Sequence, residues 1–128
     1  MQLKVLTTQV EIHTTPLESI SMDTSKITLE FDDSTEKRWR ASFCPYQGFK
    51  VSTIDCYATK QLLVDGKRPF YLLEVINSRW IMELHSVLKA KDETADFLNK
   101  AHHYIFPFQD IIVEVVAWDN FKLEEIRP

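Results

Sequence analysis

Residues 102 to 119 constrain this chain more than any other stretch. His102 through Phe108 and Asp110 through Trp118 read as two strands divided by one short polar break. Alternation in the second strand puts Ile111, Val113, Val115 and Ala117 on one face. Asp110, Ile112, Glu114, Val116 and Trp118 then fall on the other. The same stretch is where histidines and carboxylates crowd together, so site chemistry is expected there if anywhere.

The flanking sequence supplies the rest of a small α+β domain. Ile27, Leu29 and Phe31 alternate with Thr28, Glu30 and Asp32, as a half-buried strand requires. Trp39, Ala41 and Phe43 alternate with Arg38, Arg40 and Ser42, and Pro45 ends that run because proline cannot donate to a ladder. Phe49, Val51 and Thr53 continue the pattern until Ile54 breaks parity. Together these runs predict an antiparallel meander with one wet face, turning near Tyr46 to Gly48. Residues 8–14 alternate weakly around Val10 and Ile12. Thr15-Pro16-Leu17-Glu18 resembles a helix start, with Pro16 suited to the first helical position, but Ser19-Ile20-Ser21 limits any helix to a turn or two.

Asp65-Gly66-Lys67 is a turn, and the run from Phe70 to Ile76, apolar on both parities, predicts a central strand. The period then changes. Trp80, Ile81, Leu84, Val87 and Leu88 form one helical stripe, with Asn77 or Ser78 as N-cap. A short second helix is expected around Phe97 and Leu98. The expectation is a single α+β domain over residues 1–128: a mostly antiparallel sheet of five or six strands with one main amphipathic helix, about 78–90, packed on it.

Composition narrows the function more than it identifies it. A chain of 128 residues, 45% hydrophobic and 27% charged, is one globular domain able to bury roughly two-thirds of its unfolded surface. Only Gly48 and Gly66 are glycines. Glycine-rich phosphate loops need several, so nucleotide chemistry of the Walker or dinucleotide kind is excluded. A formal net charge of −4 gives no support to nucleic acid or anionic membrane as partner. No apolar run approaches the roughly 20 residues that span a bilayer. The first residues lack the apolar core of a signal peptide, so a cytoplasmic protein is expected. Cys44 and Cys56 have no zinc-site or CxxC spacing. If they lie in consecutive strands of a hairpin they are too far apart to bridge, since Cα atoms must come within about 7 Å. They are expected to be free, buried thiols.

Catalytic signatures are missing. No GxSxG elbow and no HExxH helix occurs, His13 and His85 stand apart, and the valines after Glu114 displace the lysine that a nuclease pattern would place there. No metal or cofactor is expected. Two candidate surfaces remain. Arg38, Arg40 and Lys50, with Tyr46 at the adjoining turn, form a basic patch with an aromatic rim able to dock an acidic partner; the plain alternative is a solubilising sheet face. The second is a ligand site near His103, Tyr104, Asp110 and Glu114. Asp110 and Glu114 share a face but lie about 13 Å apart along the strand, too far for a paired-carboxylate mechanism or for gripping one metal together. His103 or His102 beside one of them could bind a metal with it or move a proton. Adjacent histidines on a strand face opposite ways, so only one of His102 and His103 can look into such a site. The plain alternative has Asp110 closing the turn and Glu114 as a solvated or edge-guarding charge.

The Trp39 strand, the segment from Pro45 to Cys56, Asn77-Ser78-Arg79-Trp80, and the block from His103 to Ala117 with Asp110 and Glu114 together resemble a group of small bacterial proteins. Some of these are thought to be immunity proteins encoded beside polymorphic toxins. The resemblance implies an α+β fold, a cytoplasmic location and protein binding, and it carries over no functional residue. A mildly acidic chain fits loosely with steering toward a basic toxin. The leading expectation is thus a non-enzymatic protein-interaction domain. The alternative is a small-ligand-binding or weakly enzymatic domain with a pocket near His103 and Asp110. A homodimer through an edge strand or the surface around Trp118 and Phe121 is a third. An interaction domain should show a flat or convex exposed patch with ordinary pKa values, a ligand site a concave pocket with converging polar groups.

Overall fold

The structure, a computed structural model, describes residues 2–15 and 17–126. The hairpin expected over residues 102–119 is present as β7 (Ala101–Pro107) and β8 (Ile111–Trp118), in register from Ala101 opposite Trp118 to Pro107 opposite Ile112. These two strands occupy the middle of a five-stranded antiparallel sheet. Two further strands, β1 (Gln2–Val5) and β6 (Leu73–Ile76), continue it on one side, and β5 (Tyr46–Thr53) closes the other. The order is β1-β6-β7-β8-β5. One α-helix, α1 (Arg79–Lys91), follows β6 and lies on this sheet. Mostly antiparallel α+β architecture with one main helix is therefore the fold class of the chain. No helix among the described residues is long and apolar enough to cross a membrane.

A second sheet goes beyond the single sheet expected. It has four antiparallel strands, ordered β2 (Ser19–Met22), β3 (Ile27–Asp32), β4 (Arg38–Phe43) and β9 (Lys122–Ile126). The two sheets pack face to face. Ile27, Leu29, Phe31, Ala41 and Phe43 from one meet Tyr104, Phe106, Val113 and Val115 from the other. Edge-to-face aromatic pairs fix the contact: Phe31 on Phe106 with ring centroids 6.1 Å apart, and Phe43 on Phe106 at 5.9 Å.

Three expectations are corrected. The meander ends at β4: β5 does not fold back on it but leaves to pair with β8 in the other sheet. Pro45 does interrupt the ladder, but the chain changes sheet there and forms no hairpin turn at Tyr46 to Gly48. Cys44 and Cys56 are consequently exposed rather than buried, although free as expected. The helix start expected at Thr15 to Glu18 is the third. Pro16 lies outside the described residues, and Ser19–Met22 beyond it is strand β2, where the serines suit a half-exposed edge. In α1, Trp80, Ile81, Leu84 and Leu88 are partly buried, whereas Val87, assigned to the same stripe, is exposed. Phe97–Lys100 is a single 3-10 turn.

The outer face of the five-stranded sheet carries a smaller core of Leu62, Leu73, Val75, Ile105 and Ile112. The segment from Ile54 to Val64, with its 3-10 turns Ile54–Cys56 and Thr59–Leu62, covers it. Beside that segment α1 lies on the same face, with Trp80 against Gly48 and His103. A seam runs between them, and polar residues collect along it.

Candidate functional site

His103 lies on β7 on the outer face of its sheet. Its ring bridges two polar side chains. Nδ1 is 2.7 Å from the Ser78 hydroxyl and Nε2 is 2.8 Å from Glu114 Oε1. Ser78, His103 and Glu114 are only 5%, 5% and 8% exposed. Local structure explains each placement. Register across the β7–β8 hairpin sets Ile105 opposite Glu114 and His103 opposite Val116, so His103 and Glu114 are diagonal neighbours on one face. Val75 of β6 pairs with His103 on its other side, and the chain leaves β6 through Asn77 at φ 54°, a left-handed conformation that asparagine tolerates. That turn delivers Ser78 to the N-cap of α1, where its hydroxyl accepts the Ile81 N–H at 3.2 Å.

The hydrogen bonding is internally complete with a neutral imidazole. A carboxylate only accepts, so Nε2 carries the proton and donates to Glu114. Nδ1 then accepts from the Ser78 hydroxyl, which in turn accepts from Ile81. Proton, acceptor and carboxylate are aligned from serine to glutamate, as general-base activation of a hydroxyl requires. Trp80 shields the ring on one side, its centroid 5.2 Å away and edge-on. The ammonium of Lys50, opposite Glu114 in the β5–β8 register, lies 4.0 Å from the centre of the Trp80 ring. Tyr57 is close enough to feel Glu114; burial first, and that carboxylate second, push its phenol up to about 12. A cavity of about 530 Å³ opens over Ser78 and His103, bordered by Asn77, Arg79, Trp80, Gln61 and Gln2.

Of the expected ligand-site residues, His103 and Glu114 are brought together and Tyr104 and Asp110 are not. Tyr104 faces the opposite way, into the inter-sheet core; burial raises its pKa, with Glu74 and Asp119 adding to it. Asp110 is an exposed residue of the β7–β8 turn whose carbonyl accepts the Ile54 N–H at 2.9 Å. Glu114 is buried and paired, which corrects its reading as a solvated charge: it points to the covered face of a central strand. His102 looks the other way, as alternation demands, and holds Glu74 at 2.7 Å. Ser78 is legible in the sequence only as a helix cap. Its contact with His103 spans 25 residues and depends on β6 pairing with β7, for which no local pattern exists.

The expected basic patch is divided between the two sheets. Arg38 and Arg40 project from β4 on the outer face of the four-stranded sheet and pair with cross-strand partners, Arg38 with Asp32 at 3.0 Å and Arg40 with Glu30 at 3.2 Å. Tyr46 and Lys50 belong to β5. Tyr46 borders a different feature, an apolar groove of about 490 Å³ beside the C-terminal half of α1, where Leu84, Val87, Leu88 and Phe97 also line it. Val87 and Phe97 are 57% and 40% exposed, and Met82, on the outward side of α1, is 60% exposed. Gln47, the residue skipped by the β5–β8 register, lies at the groove with its Oε1 buried and unpartnered.

Comparison with protein-family models, with curated proteins and with solved structures finds no match to this chain.

Proposed function

We propose that the chain is a protein-interaction domain whose partner docks along α1 and the start of β5. The observation that carries this reading is the apolar groove, where a folded domain leaves Val87 and Phe97 exposed beside Leu84 and Leu88. Patches of this kind, rimmed by polar residues, mark association surfaces. Lys91 and Gln47 supply that rim. Tyr46 supplies an aromatic side chain of the type enriched at interface centres. An immunity-like role in a bacterial cytoplasm, with a toxin as partner, accords with the resemblance read from Pro45 to Cys56 and from His103 to Ala117. It also accords with the net charge of −4, which steers toward a basic partner.

Light scattering of the purified protein, alone and mixed with lysate of its own host, tests the reading. The expected result is a discrete heterocomplex formed by the natural protein and lost in Val87→Glu/Phe97→Glu, with both proteins equally folded by circular dichroism. A complex that survives both substitutions, or a protein that stays unchanged in every mixture, overturns it.

A second reading is favoured by one specific observation, the cavity over Ser78 and His103: a small-ligand site built on the seam between α1 and the 54–64 segment. A panel of small esters, acids and amines in a thermal-shift screen tests it. A rise in melting temperature that disappears in His103→Gln supports a ligand in this cavity, and no rise with any compound removes the reading.

A further inference from the structure

We infer that Ser78 is an acyl-accepting nucleophile, with His103 as its general base and Glu114 as the residue that orients the imidazole, and that the cavity takes a short-chain carboxylic ester. This goes beyond the docking role and does not depend on it.

Four independent features converge on Ser78. Its hydroxyl is 2.7 Å from His103 Nδ1, and the opposite ring nitrogen is 2.8 Å from Glu114. The order hydroxyl, imidazole, carboxylate is the one that makes a serine nucleophilic, and it is recognised by geometry rather than by position in the chain. All three residues are more than nine-tenths buried, where each electrostatic contact counts for more than in water. The cavity reaches both Ser78 and His103, so the relay is open to a small molecule. Finally, Ser78 stands at the junction of β6, the left-handed Asn77 and the 13-residue helix α1. The first N–H groups of a helix have no intrahelical acceptor, and Ile81 is already satisfied by Ser78. Arg79 and Trp80 border the cavity, and their first-turn N–H groups, next to the nucleophile, would hold the acyl oxyanion.

The step balances without any further reagent than water. Ser78 Oγ bonds to the ester carbonyl carbon while its proton passes to His103 Nδ1. The carbon–alkoxy bond breaks, and the alkoxide leaves with that proton as the alcohol. Water then attacks the acyl-serine, gives one proton to Nδ1 and releases the carboxylic acid, and the proton returns to Ser78. Glu114 stays ionised throughout, accepting from Nε2. The cavity walls contributed by Gln2, Gln61, Asn77 and Arg79 are polar, which suits a short acyl group rather than a fatty one.

A fluorophosphonate probe and p-nitrophenyl acetate test the assignment on the whole protein. The expected result is one covalent adduct per chain, located on Ser78 by peptide mass, and ester hydrolysis with an initial burst. Ser78→Asn keeps a cap residue but has no hydroxyl, and it should lose the adduct and at least about 10²-fold of the hydrolysis. Glu114→Gln should slow labelling of Ser78 and shift its pH profile, an effect that a purely structural carboxylate would not have. A folded natural protein that takes up no probe at Ser78, or hydrolysis that persists in Ser78→Asn, overturns the inference and leaves the docking role untouched.

Discussion

The Trp80 ring rests directly on Gly48. A Cβ at Gly48 would stand 2.8 Å from Trp80 Cζ2 and 3.3 Å from Leu84 Cδ1. Gly48 lies in β5 opposite Val116, on the face that α1 covers, so the absent side chain is what lets the helix sit close to the sheet edge. Close packing there also sets Trp80 beside His103 and under Lys50. Gly48→Ala is expected to push α1 outward and cost about 1–3 kcal/mol, the usual penalty of overpacking. Urea unfolding followed by Trp fluorescence measures it. An unchanged midpoint would mean that the ring has room to move and that the contact does not define the helix position.

Asp33 organises the turn between β3 and β4. Its Oδ1 accepts from Thr35 N at 2.8 Å and Lys37 N at 3.0 Å, and its Oδ2 accepts from the Trp39 indole at 2.9 Å. Burial alone raises a carboxyl pKa, but the bonds from Thr35, Trp39 and Lys37 outweigh it and hold Asp33 below the ordinary value of 3.8. With the folded pKa below the unfolded one, its stabilisation is present above about pH 4 and is lost as pH falls through the folded value. Asp33→Asn should therefore lower stability at pH 7 by about 1–3 kcal/mol and flatten the acid limb of a stability–pH curve. Parallel acid limbs in the two proteins would contradict this.

The two periods visible in the sequence carry much of this fold. Alternation locates β3, β4 and the β7–β8 hairpin, and the stripe from Trp80 to Leu88 locates α1 together with its cap. Parity says that only one of His102 and His103 shares the Glu114 face, and the β7–β8 register selects His103. Alternation reports which side of a strand is buried and says nothing of which strand lies beside it. Phe49 and Val115 pair in the structure, but Phe49 would alternate identically against β4, so the change of sheet after Pro45 leaves no mark. The edge strands Gln2–Val5, Ser19–Met22 and Lys122–Ile126 are short and half-exposed, with too few apolar residues to stand out, so only β3 and β4 of the four-stranded sheet are legible. Ser78 reads as a cap, which it is; its second partner is set by β6 docking on β7.

His103 and Glu114 should be strongly coupled. His103→Leu leaves the Glu114 carboxylate buried with no donor at Nε2 and the Ser78 hydroxyl with no acceptor, and breaking a buried pair this way costs roughly 3–5 kcal/mol. His103→Leu/Glu114→Leu removes both and should cost clearly less than the two single changes added together. A double-mutant cycle in urea reads the difference, and additivity to within about 0.5 kcal/mol would show that the two residues act independently.

Tyr57 offers a spectroscopic view of the same seam. Burial, and after it the Glu114 carboxylate, raises its phenol to about 12. The absorbance difference between the natural protein and Tyr57→Phe isolates this one phenol in an alkaline titration, read over the range in which circular dichroism stays native. The transition should fall near pH 12 rather than near the usual value of about 10. Because the folded pKa is the higher one, Tyr57 contributes stability that is complete below about pH 10 and is lost as pH rises through the folded value. Glu114→Gln removes the second cause and keeps the first, so in that background the transition should move down yet stay above about 10. A transition unmoved by Glu114→Gln would leave burial as the whole cause, and one at about 10 in the natural protein would mean that the 54–64 segment does not cover the sheet at Tyr57.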